Sequence, residues 1–228
     1  VYKRQGYRQI DINLGCPFPM IAGKHKGAGM LLYPAQVAEV LAPIAEYPEI
    51  QFSLKMRLGW ENASECMVLV ELLNAIRLSR IALHARTGKQ QYKGHPDLEA
   101  FQGFYELCQH PLYYNGGIES LSDIRQILIR FPLLKGVFIG RGLLSSPLLA
   151  KEFKGNETFL PEQRMSIYFA FHEELFSAYS QVLQGETQLL VKMKTLWEYF
   201  LPETDRKLLK RIKKSTRLQQ YTESVKAI

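Results

Sequence analysis

Apolar and polar residues alternate over Ile10-Asp11-Ile12-Asn13-Leu14, the period of a β-strand, and the run breaks at Gly15 ahead of Cys16-Pro17. From Pro34 to Glu46 the period changes. Val37, Val40, Leu41 and Ile44 share one helical face, and Pro34 opens the first turn. The same succession then repeats. A strand over Gln51–Arg57 stops at Gly59, and a helix follows over Asn62–Ile76 with Asn62 as its cap. A strand over Ile81–His84 leads into Ala85-Arg86-Thr87-Gly88, and residues 97–108 are helical. Leu112-Tyr113-Tyr114 runs into Asn115-Gly116-Gly117, with a helix over Leu121–Phe131. A last strand, Gly136–Ile139, ends at Gly140-Arg141-Gly142.

Five β-then-α units spaced about 25 to 40 residues apart predict a parallel sheet with crossover helices. In each unit the polar and glycine-rich residues follow the strand and never precede it, as they do at the chemical edge of a (β/α)8 barrel. Five units do not close such a barrel. The expectation is therefore a partial TIM barrel with about three units missing upstream, because the chain enters a buried-type strand within its first dozen residues. Val1-Tyr2-Lys3-Arg4-Gln5 looks like translated adapter sequence and is set aside. Past Pro161 every pattern is helical: 162–183, 187–200, 204–214 and 216–227. The expected division is a catalytic barrel domain over 1–155 and a small all-α domain over 156–228.

Composition narrows the class. With 46% apolar residues and 11% aromatics the chain can build a core. Three cysteines without a CxxC pair exclude a disulfide framework and point to a reducing compartment, so the cytoplasm is expected. Cys66 and Cys108 read as packing residues. No apolar run approaches the roughly 18 residues of a membrane span. The net charge of +7 calls for an anionic partner, and it is unevenly placed. Residues 186–228 hold ten Lys/Arg against five acids. Arg206, Lys210, Lys213 and Arg217 fall on one helical face by spacing, opposite Leu208, Leu209 and Ile212. Such a face is a solvated surface or a contact for a polyanion. Trp197, Tyr199 and Phe200 beside Lys192 and Lys194 offer rings for base stacking, although two of the three are expected in the core.

The candidate chemistry lies at the strand ends. Pro17 stiffens the turn carrying Cys16, and the loop Ala22–Gly29 after it is small, basic and expected to be mobile. A buried thiol with a packing role is the alternative. Lys55, isolated in an apolar strand, needs an anionic partner, either a ligand such as the N1/C2 edge of a reduced flavin or a carboxylate such as Asp11. His84 ends its strand beside Arg86 and Thr87. The turns Asn115-Gly116-Gly117 and Gly140-Arg141-Gly142 each precede a helix, which suits a phosphate.

Taken in order, these residues resemble the tRNA-dihydrouridine synthase family from about Gly6 to Phe153. The motifs are Asp11-Ile12-Asn13-Leu14-Gly15-Cys16-Pro17 with Gly27-Ala28-Gly29, then Lys55-Met56-Arg57-Leu58-Gly59-Trp60, then His84-Ala85-Arg86-Thr87 with Gln91-Tyr92 and Gly94. Asn115-Gly116-Gly117-Ile118 and Gly140-Arg141-Gly142 complete the set. The resemblance implies an FMN-bound (β/α)8 barrel followed by a helical tRNA-binding domain, NADPH as reductant, hydride delivery to uracil C6 and a proton from Cys16 to C5. It places Lys55 and His84 against the flavin, and Asn115, Gly116, Gly117, Gly140 and Arg141 on its phosphate. Asn13, Arg86 and Tyr92 fall on the substrate side, with Lys192, Lys194, Arg206 and Lys210 on tRNA. Met20 departs from the family pattern, where a basic residue is common, and so does the region of Leu98. A thiol titrating near its ordinary value of about 8.5 is protonated at neutral pH and suits a donor to C5. A monomer is expected, with no membrane and no metal. The rival readings are a dihydroorotate dehydrogenase-like FMN barrel acting on a small acid, which needs no basic tail, and a non-catalytic RNA-binding barrel.

Overall fold

The computed structural model describes residues 2–228. Val1, among the five residues set aside as non-native, lies outside them. The chain separates into two compact units: residues up to Ile118 with Ser122–Ile139, and Glu119–Leu121 with Gly140–Ile228. The division falls at Gly140, earlier than the expected boundary after residue 155.

The first unit is built on five parallel strands in sequential order: β1 (Gln9–Leu14), β2 (Gln51–Gly59), β3 (Arg80–Thr87), β4 (Leu112–Asn115) and β5 (Gly136–Phe138). Between them run α1 (Pro19–Ala22), α2 (Pro34–Leu41), α3 (Glu65–Val68), α4 (Val70–Asn74), α5 (Leu98–Leu107) and α6 (Leu121–Arg130). The ladders join Asp11 to Ser53 and Asn13 to Lys55, Arg57 to His84, and His84 to Asn115. Side chains aligned in a parallel ladder share a face, and successive residues alternate between faces. One face therefore carries Asp11, Asn13, Ser53, Lys55, Arg57, His84 and Asn115. The other carries Leu14, Leu54, Met56, Ile81, Leu83 and Tyr114, all at most 3% exposed. That apolar face meets the helices. Phe101 of α5 packs edge-on against Tyr114 at 4.9 Å and against Phe131 at 5.0 Å. Each such side chain removed from water stabilises by about 1.5–3 kcal/mol.

Local chemistry set several boundaries differently from the periodicity. β3 runs on to Thr87, so His84 lies within the strand, and a register irregularity against β2 follows it. The helix expected over 62–76 starts at Glu65 and is interrupted at Leu69. Asn62 is not its side-chain cap. The Glu65 carboxylate accepts from the N–H groups of Trp60, Glu61 and Asn62 at 2.7, 3.1 and 2.7 Å. The helix from Pro34 gives way after Leu41 to a 3-10 turn, Ala42–Glu46, because Pro43 cannot donate to the α-helical ladder. The loop Ala22–Gly29 folds at its end into a 3-10 helix over Gly27–Leu32 whose Gly27, Ala28 and Gly29 are buried.

The second unit is helical: α7 (Arg141–Ser145), α8 (Leu149–Gly155), α9 (Pro161–Val182), α10 (Glu186–Leu196), α11 (Arg206–Lys214) and α12 (Leu218–Val225). Its core gathers Tyr168, Leu189, Leu190, Met193, Trp197, Phe200, Ile212 and Tyr221. Buried polar groups there are paired. Glu152, 2% exposed, is bound by Arg164. The Tyr221 hydroxyl receives the Trp197 Nε1–H at 2.8 Å and meets His172 Nε2 at 2.6 Å. Burial pushes the Tyr221 phenol up to about 12.

Candidate active site

The carboxyl edge of the sheet collects the residues singled out from sequence in the first unit. Asn13 Oδ1 accepts the Gly15 N–H at 2.9 Å, closing the turn that presents Cys16. Cys16 is partly exposed. Its carbonyl takes the Ala28 N–H at 3.0 Å, and Gly27, at φ 57°, is seated against it. A Cβ on Gly27 would stand 2.8 Å from the Cys16 carbonyl oxygen, so only glycine fits. Cys66 packs as expected, fully buried, and burial pushes its thiol up to about 12, whereas Cys108 is half-buried.

Lys55 shares the polar face with Asn13. Among the described residues no carboxylate lies within 4.0 Å of its Nζ. Asp11, the carboxylate considered as its partner, is bound instead by the Ser53 hydroxyl at 2.6 Å. Burial holds the Lys55 ammonium below its usual pKa, the nearby Arg57 charge adds to that, and Asp11 partly opposes it. An ammonium in that setting is set up for an anion supplied from outside the chain.

Arg57, which the residue patterns did not single out, ties this edge together. At 1% exposure it donates from Nε to the Gly15 carbonyl at 3.0 Å, and from Nη1 to the carbonyls of Thr87 and Gln91 at 2.9 and 2.8 Å. The Tyr92 ring stands 5.5 Å from its guanidinium. The residue before the thiol and the loop after β3 are thereby fixed to one side chain. Its only legible signal was position, two residues after Lys55 and so on the same face.

His84 and Arg86 are coupled, Nη1 of Arg86 lying 3.2 Å from His84 Nε2. A guanidinium only donates, so that ring nitrogen carries a lone pair and the proton sits on Nδ1. Arg86 also reaches the Gly94 carbonyl at 3.0 Å, and the His84 and Tyr92 rings are 6.3 Å apart. Asn115 donates from Nδ2 to the Phe138 carbonyl at 2.8 Å. Gly116 and Gly117 follow at φ 138° and 61°, a turn that side-chain-bearing residues rarely adopt. A Cβ on Gly117 would come within 3.0 Å of Pro96.

Gly140 and Arg141 belong to the second unit, where they open α7. In that unit Arg206, Lys210 and Lys213 share α11, but Arg217 does not. The helix stops at Lys214, and Arg217 precedes α12. Ile212 is buried opposite the charges. A second row, Lys207, Lys210, Arg211 and Lys214, lines a cleft of about 460 Å³ with Ser215 and Gln220. Lys192 lies over the Tyr179 ring at 5.5 Å. Lys194 donates to the Ser215 carbonyl at 2.8 Å and so closes the end of α11. Trp197 and Phe200 are core and Tyr199 is half-buried.

Among the described residues no cluster of His, Cys, Asp or Glu is arranged to hold a metal, and no helix is long and apolar enough to cross a membrane. The family model described as dihydrouridine synthase matches residues 1–227. A probable tRNA-dihydrouridine synthase of Rhizobium leguminosarum bv. phaseoli is 32% identical over 139 residues, 60% of this chain and 44% of that protein. The tRNA-dihydrouridine synthase B of Vibrio vulnificus is 27% identical over 161 residues, 69% of this chain and 50% of its own. A probable tRNA-dihydrouridine synthase of Rickettsia conorii is 24% identical over 184 residues, covering 77% and 55%. The chain thus spans about half the length of the curated relatives it matches. With a family model running along nearly all of it, the chain belongs to the dihydrouridine synthase family.

Proposed function

We propose that this chain is the catalytic and RNA-contacting part of an FMN-dependent tRNA-dihydrouridine synthase that reduces the uracil C5–C6 double bond, working as a cytoplasmic monomer. We infer that the five parallel strands form part of a (β/α)8 barrel, and that the helices after it form a tRNA-binding domain. One observation carries the reading. A partly exposed thiol is held at the carboxyl edge of the sheet, on whose polar face Asn13 stands in register with Lys55, and His84 with Asn115.

The residues fit the flavin. Among the described residues Lys55 is a desolvated ammonium with no carboxylate within 4.0 Å, suited to an anionic ring edge, and the turn after Asn115 exposes Gly117, where no side chain stands between backbone and a phosphate. When bound, reduced FMN supplies the hydride for uracil C6, and NADPH restores it. The chain's own groups do the rest. Asn13 and Arg57 fix the turn of Cys16, whose thiol holds the proton for C5. C5 carries the negative charge once C6 has accepted hydride, so the proton moves from Sγ to carbon and leaves a thiolate. Arg86 fixes His84 in one tautomer, and Tyr92 covers the guanidinium of Arg57.

Cys16→Ala tests this. The full-length enzyme carrying it should keep its fold, its FMN and its reduction by NADPH. A positioned general acid contributes about 100- to 10,000-fold, so dihydrouridine formation in a single turnover with unmodified tRNA should slow by at least that order. A variant within about tenfold of the parent removes Cys16 from the acid's role.

A further inference from the structure

The short helix α1 ends in a Schellman motif: Lys26 N–H bonds the Ile21 carbonyl at 3.3 Å, and His25 N–H bonds the Ala22 carbonyl at 2.9 Å. The residue between such bonds takes left-handed backbone and is usually glycine. Here it is His25, at φ 54°. That conformation costs a side-chain-bearing residue about 1–2 kcal/mol, and the chain holds it by stacking the imidazole on Tyr33 at 4.1 Å, with 27° between planes. The next residue is Gly27, pressed against Cys16, and Ala28 bonds the Cys16 carbonyl. Turn and thiol are one rigid piece.

The turn is cationic and outward-facing. Lys24, His25 and Lys26 are all exposed, and among the described residues neither lysine has a carboxylate within 4.0 Å. Phe18 and Met20, 55% and 70% exposed, lie between Cys16 and the turn in the chain and add open apolar surface. Lysines on an exposed turn act as point charges towards phosphate. Such a turn suits a ligand that passes across it, a polymer backbone, better than one that must be enclosed. Strain held in place beside a reactive group points to a site.

We propose that Lys24 and Lys26 bind the phosphodiester backbone of the RNA next to the nucleotide presented to Cys16, with His25 setting the turn that aims them. The inference rests on the tRNA-acting function above and deepens it by naming the chain's contacts at the thiol.

The test measures binding of an unmodified tRNA transcript to the 228-residue chain as salt is varied. Each phosphate contact contributes about 0.7 to 0.9 to the log–log slope, so Lys24→Ala with Lys26→Ala should lower it by about 1.5. Lys24→Arg with Lys26→Arg keeps both charges and should keep the slope. If the parent binds and the alanine pair leaves its slope unchanged, the turn is not a contact, and the proposed function stands. If the arginine pair loses as much as the alanine pair, the lysines act by packing and the proposal falls. A parent chain without salt-dependent tRNA binding overturns this inference and the function beneath it.

Discussion

Replacing Arg57 by methionine keeps most of its stem and removes the guanidinium. Three carbonyls lose their donor. Those of Gly15 and Thr87 are bound within buried contacts, whereas the Gln91 contact is part-buried and open to water. An unsatisfied buried acceptor costs about 1–3 kcal/mol, so two give about 2–6 kcal/mol. Part of that is returned, because the variant no longer buries a charge without a carboxylate. A net loss of about 2–4 kcal/mol follows, which at a slope of about 2 kcal/mol/M moves the urea midpoint down by about 1–2 M. The chain has two tryptophans, Trp60 in the first unit and Trp197 in the second. In a Trp197→Phe background, fluorescence from Trp60 reports the unit that holds Arg57. Trp60 is a local probe as well, since a Cβ on Gly88, next to Thr87, would collide with its ring. Arg57→Lys keeps the charge but not the fork, and should fall between parent and methionine. If Arg57→Met unfolds within about 0.5 kcal/mol of the parent, the size expected of an ordinary surface change, the three bonds do not hold this edge together.

In the second unit, Tyr221→Phe strands the Trp197 N–H and His172 Nε2 together and should cost about 2–4 kcal/mol, read from Trp197 fluorescence with Trp60 replaced. Stability unchanged by that substitution would break the account of the core. Burial holds the His172 pKa below its usual value, with Glu173 opposing. The unfolded chain therefore takes up the proton first. Stability should be full above about pH 6.5 and should fall as pH drops through it towards the folded value. The same loss in His172→Gln would refute the assignment. Neutralising Lys207, Lys210, Arg211 and Lys214 together should lower the salt slope of tRNA binding by about 3, and an unaltered slope would make the cleft an ordinary solvated face.

The first two strands were legible because period-two alternation and the glycine stops agree, and the last two because short apolar runs end at glycine turns. Asn13, Lys55, His84 and Asn115 stood out as polar residues in otherwise apolar runs, so the ladders had only to align them. What stayed hidden depends on backbone atoms, which carry no residue identity. Arg57 binds three carbonyls, and no feature of the sequence marks a carbonyl as a partner. Glu65 gathers three N–H groups that precede it, a cap supplied from inside the helix and not ahead of it. His25 occupies a turn position whose usual signal is glycine. Arg217 matched α11 in spacing, yet the chain leaves the helix at Ser215, where Lys194 binds the carbonyl, and the spacing no longer applies.

The division of the sheet into one polar and one apolar face predicts how the gene tolerates change. Scored one codon at a time over Ser53–Met56 of β2, damage should flip in kind with every step. Replacements at Leu54 and Met56, both fully buried, should abolish soluble protein, while those at Ser53 and Lys55 should leave it soluble and altered in what it does. A single-codon deletion before Lys55 combines both kinds of failure, because it moves every downstream side chain of the strand to the opposite surface. Drift along this strand is therefore confined to exchanges within a face. A lineage can lose the chemistry and keep the scaffold, but it cannot shift the scaffold by one residue and keep either.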